Sequence, residues 1–316
     1  MAENTARWKA YRLVFRVKSP IHVGYRKYGN LMQTRPYVPA RTILGAITSR
    51  LTRSIFVPTT DWKCYRLIGE TLNEYTRFTY FYIATEGNSD FEIHFPWRNP
   101  EEFYHRFIGS HVSTSLQSSI KAAEEGSLHE TEFISPRSIN DNRQVYLLGY
   151  VFVKCCIESH TISEFINNVA KKWKISHDIS NIPECIEILL SCARHLRSQI
   201  ETLTLGGERG YGWGRVDLVE FEEFNERKLF KGYPYSAESG APTLTVPKGS
   251  HVPAHVLANT ELPLNGPLEP LIRREWRRFA GSDVVFDGVA YSPGARVEEN
   301  LPLTIMPLGY CEPSQS

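Results

Sequence analysis

Tyr11-Arg12-Leu13-Val14-Phe15-Arg16-Val17-Lys18 is the stretch that decides the fold. Leu13, Phe15 and Val17 alternate with Arg12, Arg16 and Lys18, which is the period of a strand with one apolar face. Ser19-Pro20 stops it. Residues 21–39 carry Gly24, Gly29, Pro36 and Pro39 and read as a loop. Over Thr42–Ile55, the residues Ile43, Ala46, Ile47, Arg50 and Leu51 fall at helical spacing. They predict a helix whose stripe packs on a sheet and whose Arg50 and Arg53 stay near the edge.

Further along, Thr76–Ala84 is aromatic and β-branched and reads as a strand. Glu86–Asp90 is a turn, and Phe91, Ile93 and Phe95 alternate on the returning strand. Residues 100–132 are polar and mixed, with one short helical stretch near 119–125. Val145–Ile157 reads as a long buried strand. Thr161 and Glu164 fit a helix-capping box ahead of Ile162, Phe165, Ile166, Val169, Ala170 and Trp173. Pro183 opens another helix. After a glycine cluster, Arg215–Phe221 is the last clear strand. The order β, loop, α, ββ, insert, β, α, α, glycine loop, β predicts an α+β protein of ferredoxin-like (RRM-like) packing, an antiparallel sheet with helices on one face. Residues 1–222 form that core, with an insert at about 100–145, and residues 223–316 form a C-terminal extension or second smaller half.

The 316 residues are 41% hydrophobic and 22% charged, which excludes wholesale disorder, collagen and coiled coil. The longest apolar run, Val145–Ile157, contains Lys154 and is too short to span a membrane. No secretory signal is visible, so a reducing cytoplasm is the expected compartment. Net charge is only +1, but the first 60 residues hold 11 Lys and Arg against Glu3 alone. Such asymmetry fits an anionic partner, or equally a salt-bridged face packed on the acidic remainder. The cysteines at 64, 155, 156, 185, 192 and 311 show neither C-x-x-C pairs nor zinc-finger spacing. Cys185 and Cys192 read as core residues on one helix face. No metal or cofactor is expected.

Three segments could carry function. Gly206-Gly207-Glu208-Arg209-Gly210-Tyr211-Gly212-Trp213-Gly214-Arg215 could present amide groups to phosphates, with Arg209 and Arg215 as cations and Tyr211 and Trp213 as stacking faces. It lacks the Gly-Lys-Ser/Thr of a phosphate loop and leads into a strand, so it is no dinucleotide fingerprint. A plain glycine turn is the competing reading. His22-Val23-Gly24-Tyr25-Arg26-Lys27-Tyr28-Gly29 interleaves basic and aromatic residues, a composition suited to single-stranded nucleic acid. Residues 34–41, with Arg35 and Arg41, lead into the first helix, whose N-terminus could hold a phosphate. The adjacent acids Glu101-Glu102, Glu124-Glu125 and Glu222-Glu223 do not share a face and read as solvated surface. The run Arg273, Arg274, Arg277, Arg278 around Trp276 reads as a solvated helix end or as a contact to RNA or an acidic partner.

A strand ending in Ser-Pro-Ile-His-Val-Gly, then Tyr-Val-Pro-Ala-Arg-Thr-Ile-Leu-Gly-Ala-Ile, resembles the opening of the RAMP superfamily of CRISPR proteins. Ser119–Phe133 resembles their central region, and Gly206–Arg215 their glycine-rich loop; the likeness spans roughly residues 8–222. The resemblance implies one of three roles. Backbone subunits of type III complexes cut target RNA with an aspartate in the loop after the first strand; here residues 20–40 contain no acid. Metal-independent endoribonucleases that process precursor guide RNA often use a histidine with Tyr or Lys, for which His22, Tyr25 and Lys27 are candidates. The third role, favoured by length and the missing aspartate, is the non-catalytic subunit that caps the 5′ tag of the guide RNA (crRNA) in Csm-, Csx- and Cmr-type effector complexes. Its implied partners are the crRNA, the large polymerase/cyclase-like subunit and the backbone RAMP subunits, with target RNA indirectly and no membrane. The resemblance also implies a thumb-like hairpin over Phe133–Tyr146 exposing Arg137 and Arg143.

Overall fold

β1 (Arg7–Val17) begins four residues before the alternation predicts and becomes a central strand. The computed structural model describes residues 7–57, 61–114, 127–191, 193–238, 240–277 and 282–314. β2 (Gly24–Tyr28) and β3 (Leu31–Thr34) follow, then α1 (Ala40–Ile55) and α2 (Trp62–Tyr75). Next come β4 (Thr76–Phe78), β5 (Tyr82–Glu86), β6 (Phe91–His94), α3 (Pro100–Phe107), β7 (Ile108–Ser113) and β8 (His129–Ile134). β9 (Tyr146–Cys155) leads through α4 (Ser159–Trp173), α5 (Ile182–Ser191) and α6 (Ala193–Gln199) to β10 (Thr202–Thr204) and β11 (Arg215–Glu223).

The first sheet runs β10-β11-β1-β9-β5-β6, with β4 on the same edge of β9 as β5, and every neighbouring pair is antiparallel. Within it, β11-β1-β9-β5 is the fourth-first-third-second order of a βαββαβ unit, which is the expected ferredoxin-like topology. Right-handed crossovers place α1–α2 and α4–α6 on one face.

Several local expectations change. The strand read over Thr76–Ala84 breaks in two, because Thr79 turns its backbone amide and hydroxyl to the Tyr150 carbonyl. The loop read over 21–39 contains the β2–β3 hairpin. The insert contains α3, β7 and β8, while the helical stretch near 119–125 lies outside the described residues. β3 pairs with β8, giving a separate sheet β2-β3-β8-β7. The insert's hairpin is therefore β7–β8 and not Phe133–Tyr146, whose middle is a turn. The capping box is not used: α4 starts at Ser159 with Glu158 before it, and Thr161 lies inside.

Among the described residues after β11, the regular structure is β apart from one 3-10 turn at Pro307–Gly309. Their strands are β12 (Lys228–Leu229), β13 (Tyr233–Ser236), β14 (Thr243–Val246), β15 (Val256–Leu257), β16 (Leu264–Asn265), β17 (Leu268–Glu275), β18 (Asp283–Tyr291), β19 (Arg296–Val297), β20 (Leu301–Ile305) and β21 (Cys311–Pro313). Eight of them form a second sheet in the order β12-β13-β14-β20-β21-β15-β18-β17. This region covers the first sheet on the face away from the helices. Tyr150 lies 4.7 Å from Phe224 and 4.9 Å from Phe230, and Phe152 lies 5.6 Å from Tyr235, as ring centroids. Tyr82 Oη donates to the Pro253 carbonyl at 2.7 Å. Hence Val14 is as buried as Leu13 and Phe15, and β9 is buried on both faces from Tyr146 to Val153. One continuous apolar core joins both regions.

The basic run at 273–277 belongs to β17 and the residues after it, not to a helix end; Arg278 is outside the described residues. Arg273 pairs with Asp287 at 2.9 Å and with Glu275, Arg66 pairs with Glu275 at 2.8 Å, and Arg277 lies 3.5 Å from Asp283. Trp276 stacks on Tyr65 at 4.1 Å between ring centroids. Opposite charges along the hairpin neutralise the run locally.

Candidate nucleic-acid interface

The glycine loop sits directly on the chain that leaves β1. Gly207 N donates to the His22 carbonyl at 2.8 Å, Gly214 N to the Pro20 carbonyl at 2.7 Å, and Arg215 N to Ser19 Oγ at 2.9 Å. Gly206 has φ +74°, and a Cβ there would stand 2.2 Å from the His22 carbonyl oxygen; Gly214 has φ +88°, and a Cβ would stand 2.0 Å from that of Leu205. Glycine is needed at both positions because backbone packs on backbone. Tyr211 N and Gly212 N also donate within the loop, to Glu208 and Arg209 carbonyls. Five of the loop's amides are thus spent on protein, which corrects the expectation of a phosphate nest built from them. What the loop presents outward is side chains. Tyr211 is 81% exposed. Arg209 Nε is tethered to the Gly206 carbonyl at 2.8 Å, and burial followed by the positive charge of Arg53 lowers its pKa. Arg50 reaches the Thr202 carbonyl at 3.1 Å, and Arg215 lies 3.6 Å from Asp217, with both side chains still open to solvent. Arg50, Arg53, Arg209, Gly210, Tyr211 and Arg215 form one basic, aromatic surface.

Trp213 takes a different part from Tyr211. Its ring lies edge-on to Phe133 at 5.1 Å and to His111 at 6.0 Å, so it props the loop against the β7–β8 hairpin. His22, expected on the exposed loop, is 8% exposed. Its Nδ1 lies 2.7 Å from the Glu132 carbonyl and its own carbonyl accepts from Gly207, so the ring is a wedge between β8 and the glycine loop.

Past His22 the chain emerges as β2, and all five of its residues are exposed. Gly24, Tyr25, Arg26, Lys27 and Tyr28 carry two aromatic rings, two cations and no acid. Arg26 and Arg35 place their guanidinium carbons 4.6 Å and 4.5 Å from the Tyr25 ring centroid, fixing the ring from both residues. Arg35 itself is not a surface cation. It is buried, donating to Glu269 at 2.8 and 3.3 Å and to Tyr37 Oη at 2.8 Å. Glu269 also meets His255 Nε2, and His255 Nδ1 lies 2.6 Å from Tyr80 Oη. Burial opposes ionisation of Glu269, but His255 and Arg35 outweigh it and hold the carboxyl down to about 2.

The remaining candidates separate. Arg41 donates to the Ile272 carbonyl on β17. The N-terminus of α1 offers no phosphate site: Tyr37, Val38 and Ala40 are buried, and Gly309 approaches Ala40 so closely that a Cβ would stand 2.2 Å from the alanine's own. Arg137 is exposed in the turn after β8, bonded to the Asn142 carbonyl at 3.0 Å, and half-buried Arg143 donates to the Glu86 carbonyl. Both turn arginines are held on protein carbonyls there, apart from β2 in the fold. Arg53 and Tyr28 join the candidates because both are exposed beside them; Arg53 is legible in sequence as the residue one helical step from Arg50.

No family model matches the sequence, and no curated protein matches it. Among solved structures, the chain is similar to a chain of the type III-B Cmr-beta complex bound to cognate target RNA and AMPPnP, at 12% identity and a TM-score of 0.45, covering 90% of this chain and 85% of that one. Chains of the Cmr-beta apo state and of the complex bound to cognate target RNA align at 12% identity over 67% of this chain, with TM-scores of 0.39 and 0.36, covering 97% and 96% of those chains.

Proposed function

We propose that this protein is a non-catalytic RNA-binding subunit of a type III CRISPR effector complex, gripping the 5′ tag of the guide RNA. The observation that carries the reading is β2: five consecutive exposed residues in which two rings flank two cations, with Tyr25 pre-positioned by two guanidiniums. Tyr25, Tyr28 and Tyr211 serve as stacking platforms for unpaired bases, each worth about 1–3 kcal/mol. Arg26, Lys27, Arg50, Arg53, Arg209 and Arg215 meet phosphates. Sequence discrimination comes from bases splayed on those rings. The partners are the crRNA, the large polymerase/cyclase-like subunit and the backbone subunits, with target RNA met indirectly.

Two observations support grip without chemistry. Residues 20–40 contain no carboxylate, and His22 is packed inside. The complex, purified with the products of neighbouring genes, is expected to carry RNAs sharing a fixed 5′ tag that crosslink to this chain. Replacing Arg209 and Arg215 together by Ala is expected to lower the salt slope of RNA binding by about 1.4, two phosphate contacts at roughly 0.7 each. An unchanged slope assigns the loop to packing alone. A metal-independent cut of precursor RNA that disappears in His22→Ala establishes the endoribonuclease reading instead.

A further inference from the structure

The N-terminus of α2 and the connection between α4 and α5 bring three different donors together. Asp61, Cys64 and His177 each place a ligand atom within 4.8 Å of the other two. Asp61 caps α2: its Oδ1 accepts from Lys63 N at 3.0 Å. Its Oδ2 stands 3.6 Å from His177 Nδ1. Two ligands bound at 2.0–2.2 Å to one tetrahedral ion stand about 3.4 Å apart, so this separation suits a shared cation better than a direct hydrogen bond. Cys64, one helical turn after Asp61, is fully buried and forms no disulfide. The His177 side chain is 36% exposed, which leaves solvent access for a fourth ligand. Neighbouring contacts fix the geometry: Lys63 Nζ donates to the Lys174 carbonyl at 3.1 Å, Trp62 meets Trp173 at 5.7 Å, and Phe56 meets the His177 ring at 5.9 Å.

We infer that Asp61, Cys64 and His177 form a site for a divalent cation of the zinc class that staples the start of α2 to the α4–α5 connection. A mixed sulfur, nitrogen and oxygen set selects a borderline-soft ion over calcium or magnesium. A thiolate and a carboxylate neutralise its two charges, the thiol proton leaves to solvent, and a water completes the tetrahedron. Asp61 Oδ1, held by a backbone N–H, is the outer contact that orients the carboxylate. C-x-x-C patterns miss such a site because its third donor lies more than one hundred residues away in sequence. The inference is independent of RNA binding.

The test uses the full chain, stripped with a chelator and titrated with Zn²⁺ and, separately, Co²⁺. One equivalent of zinc is expected to bind and to raise the thermal midpoint, and the cobalt form is expected to show a thiolate charge-transfer band. Cys64→Ser removes the band. Cys64→Ser and His177→Gln each weaken zinc by more than the roughly 100-fold typical of losing an outer contact, whereas Asp61→Asn keeps the helix cap and weakens it less. Cys156→Ser changes nothing. Absence of stoichiometric zinc and of the cobalt band in the wild-type chain overturns the site whatever the variants do. A band that survives Cys64→Ser also overturns it.

Discussion

Replacing Glu269 by Gln tests how the C-terminal region is fastened to the first sheet. Glu269 is 5% exposed and closes a buried chain of polar groups, Tyr37–Arg35–Glu269–His255–Tyr80. Its carboxyl is held at about 2 against an ordinary 4.5. At about 1.4 kcal/mol per pH unit, that difference stabilises the fold by about 3 kcal/mol at neutral pH. Glutamine keeps the shape but leaves the Arg35 charge buried and uncompensated, a loss of about 3–5 kcal/mol by the mutational scale for broken buried pairs. The sign of the pH dependence follows. A lowered carboxyl pKa gives stability that is complete above about 4.5 and is lost as pH falls toward 2. His255 is buried and its pKa lowered, so the unfolded state gains a proton first and stability begins to fall below about 6.5. Urea unfolding followed by tryptophan fluorescence at several pH values measures both windows. Glu269→Gln is expected to cost about 3 kcal/mol or more at pH 7 and to remove the loss of stability between about pH 4.5 and 2. Arg35→Met with Glu269→Leu is expected to recover much of that loss, since well-packed apolar replacements of buried pairs are often neutral. A cost under about 1 kcal/mol for Glu269→Gln, or an unaltered acid window, refutes the reasoning.

Gly206→Ala forces a Cβ against the His22 carbonyl at positive φ and is expected to destabilise by about 2 kcal/mol or more, read as a lowered thermal midpoint. Tyr211→Ala is expected to weaken single-stranded RNA by about 1–3 kcal/mol with the midpoint unchanged, because the ring touches solvent. Trp213→Ala reverses that signature, lowering the midpoint through loss of the Phe133 contact; equal effects of the two variants on RNA affinity and on stability refute the division of labour. Trp276→Ala strips the ring stacked on Tyr65 and is expected to cost about 2–3 kcal/mol in urea unfolding, with no loss of RNA affinity.

The ferredoxin-like core was legible because β1, α1, β9 and β11 each carry a complete period of apolar residues. α2 carries the same signals: Asp61 caps it, and Cys64, Leu67, Ile68, Thr71, Leu72 and Tyr75 are on its buried stripe. β2 was hidden because it has no buried face, so no alternation marks it. The fate of individual arginines was not legible. Arg26 and Arg35 are both in basic, aromatic surroundings, yet Arg26 stays exposed while Arg35 is buried on an acid 234 residues away, to which it hydrogen-bonds. A partner so distant leaves no local trace, and composition alone treats the two alike. The second sheet was illegible for a related reason. Its strands are mostly short, and their pairing runs through non-consecutive neighbours such as β14 with β20.

The continuous core sets the order in which this chain can mature. Trp8 N donates to the Ala237 carbonyl at 3.0 Å, and Trp8 Nε1 to that of Gly240 at 2.6 Å. Tyr80 waits for His255, and β1 waits for β11 across about two hundred residues. During synthesis the apolar face of β1 and β9 that points away from the helices therefore stays bare until residues beyond 233 have left the ribosome. Contacts of such sequence separation close slowly, and the waiting intermediate is prone to aggregate. The protein is expected to depend on chaperones in the cell more heavily than its size suggests, and an isolated 1–222 fragment is expected to precipitate.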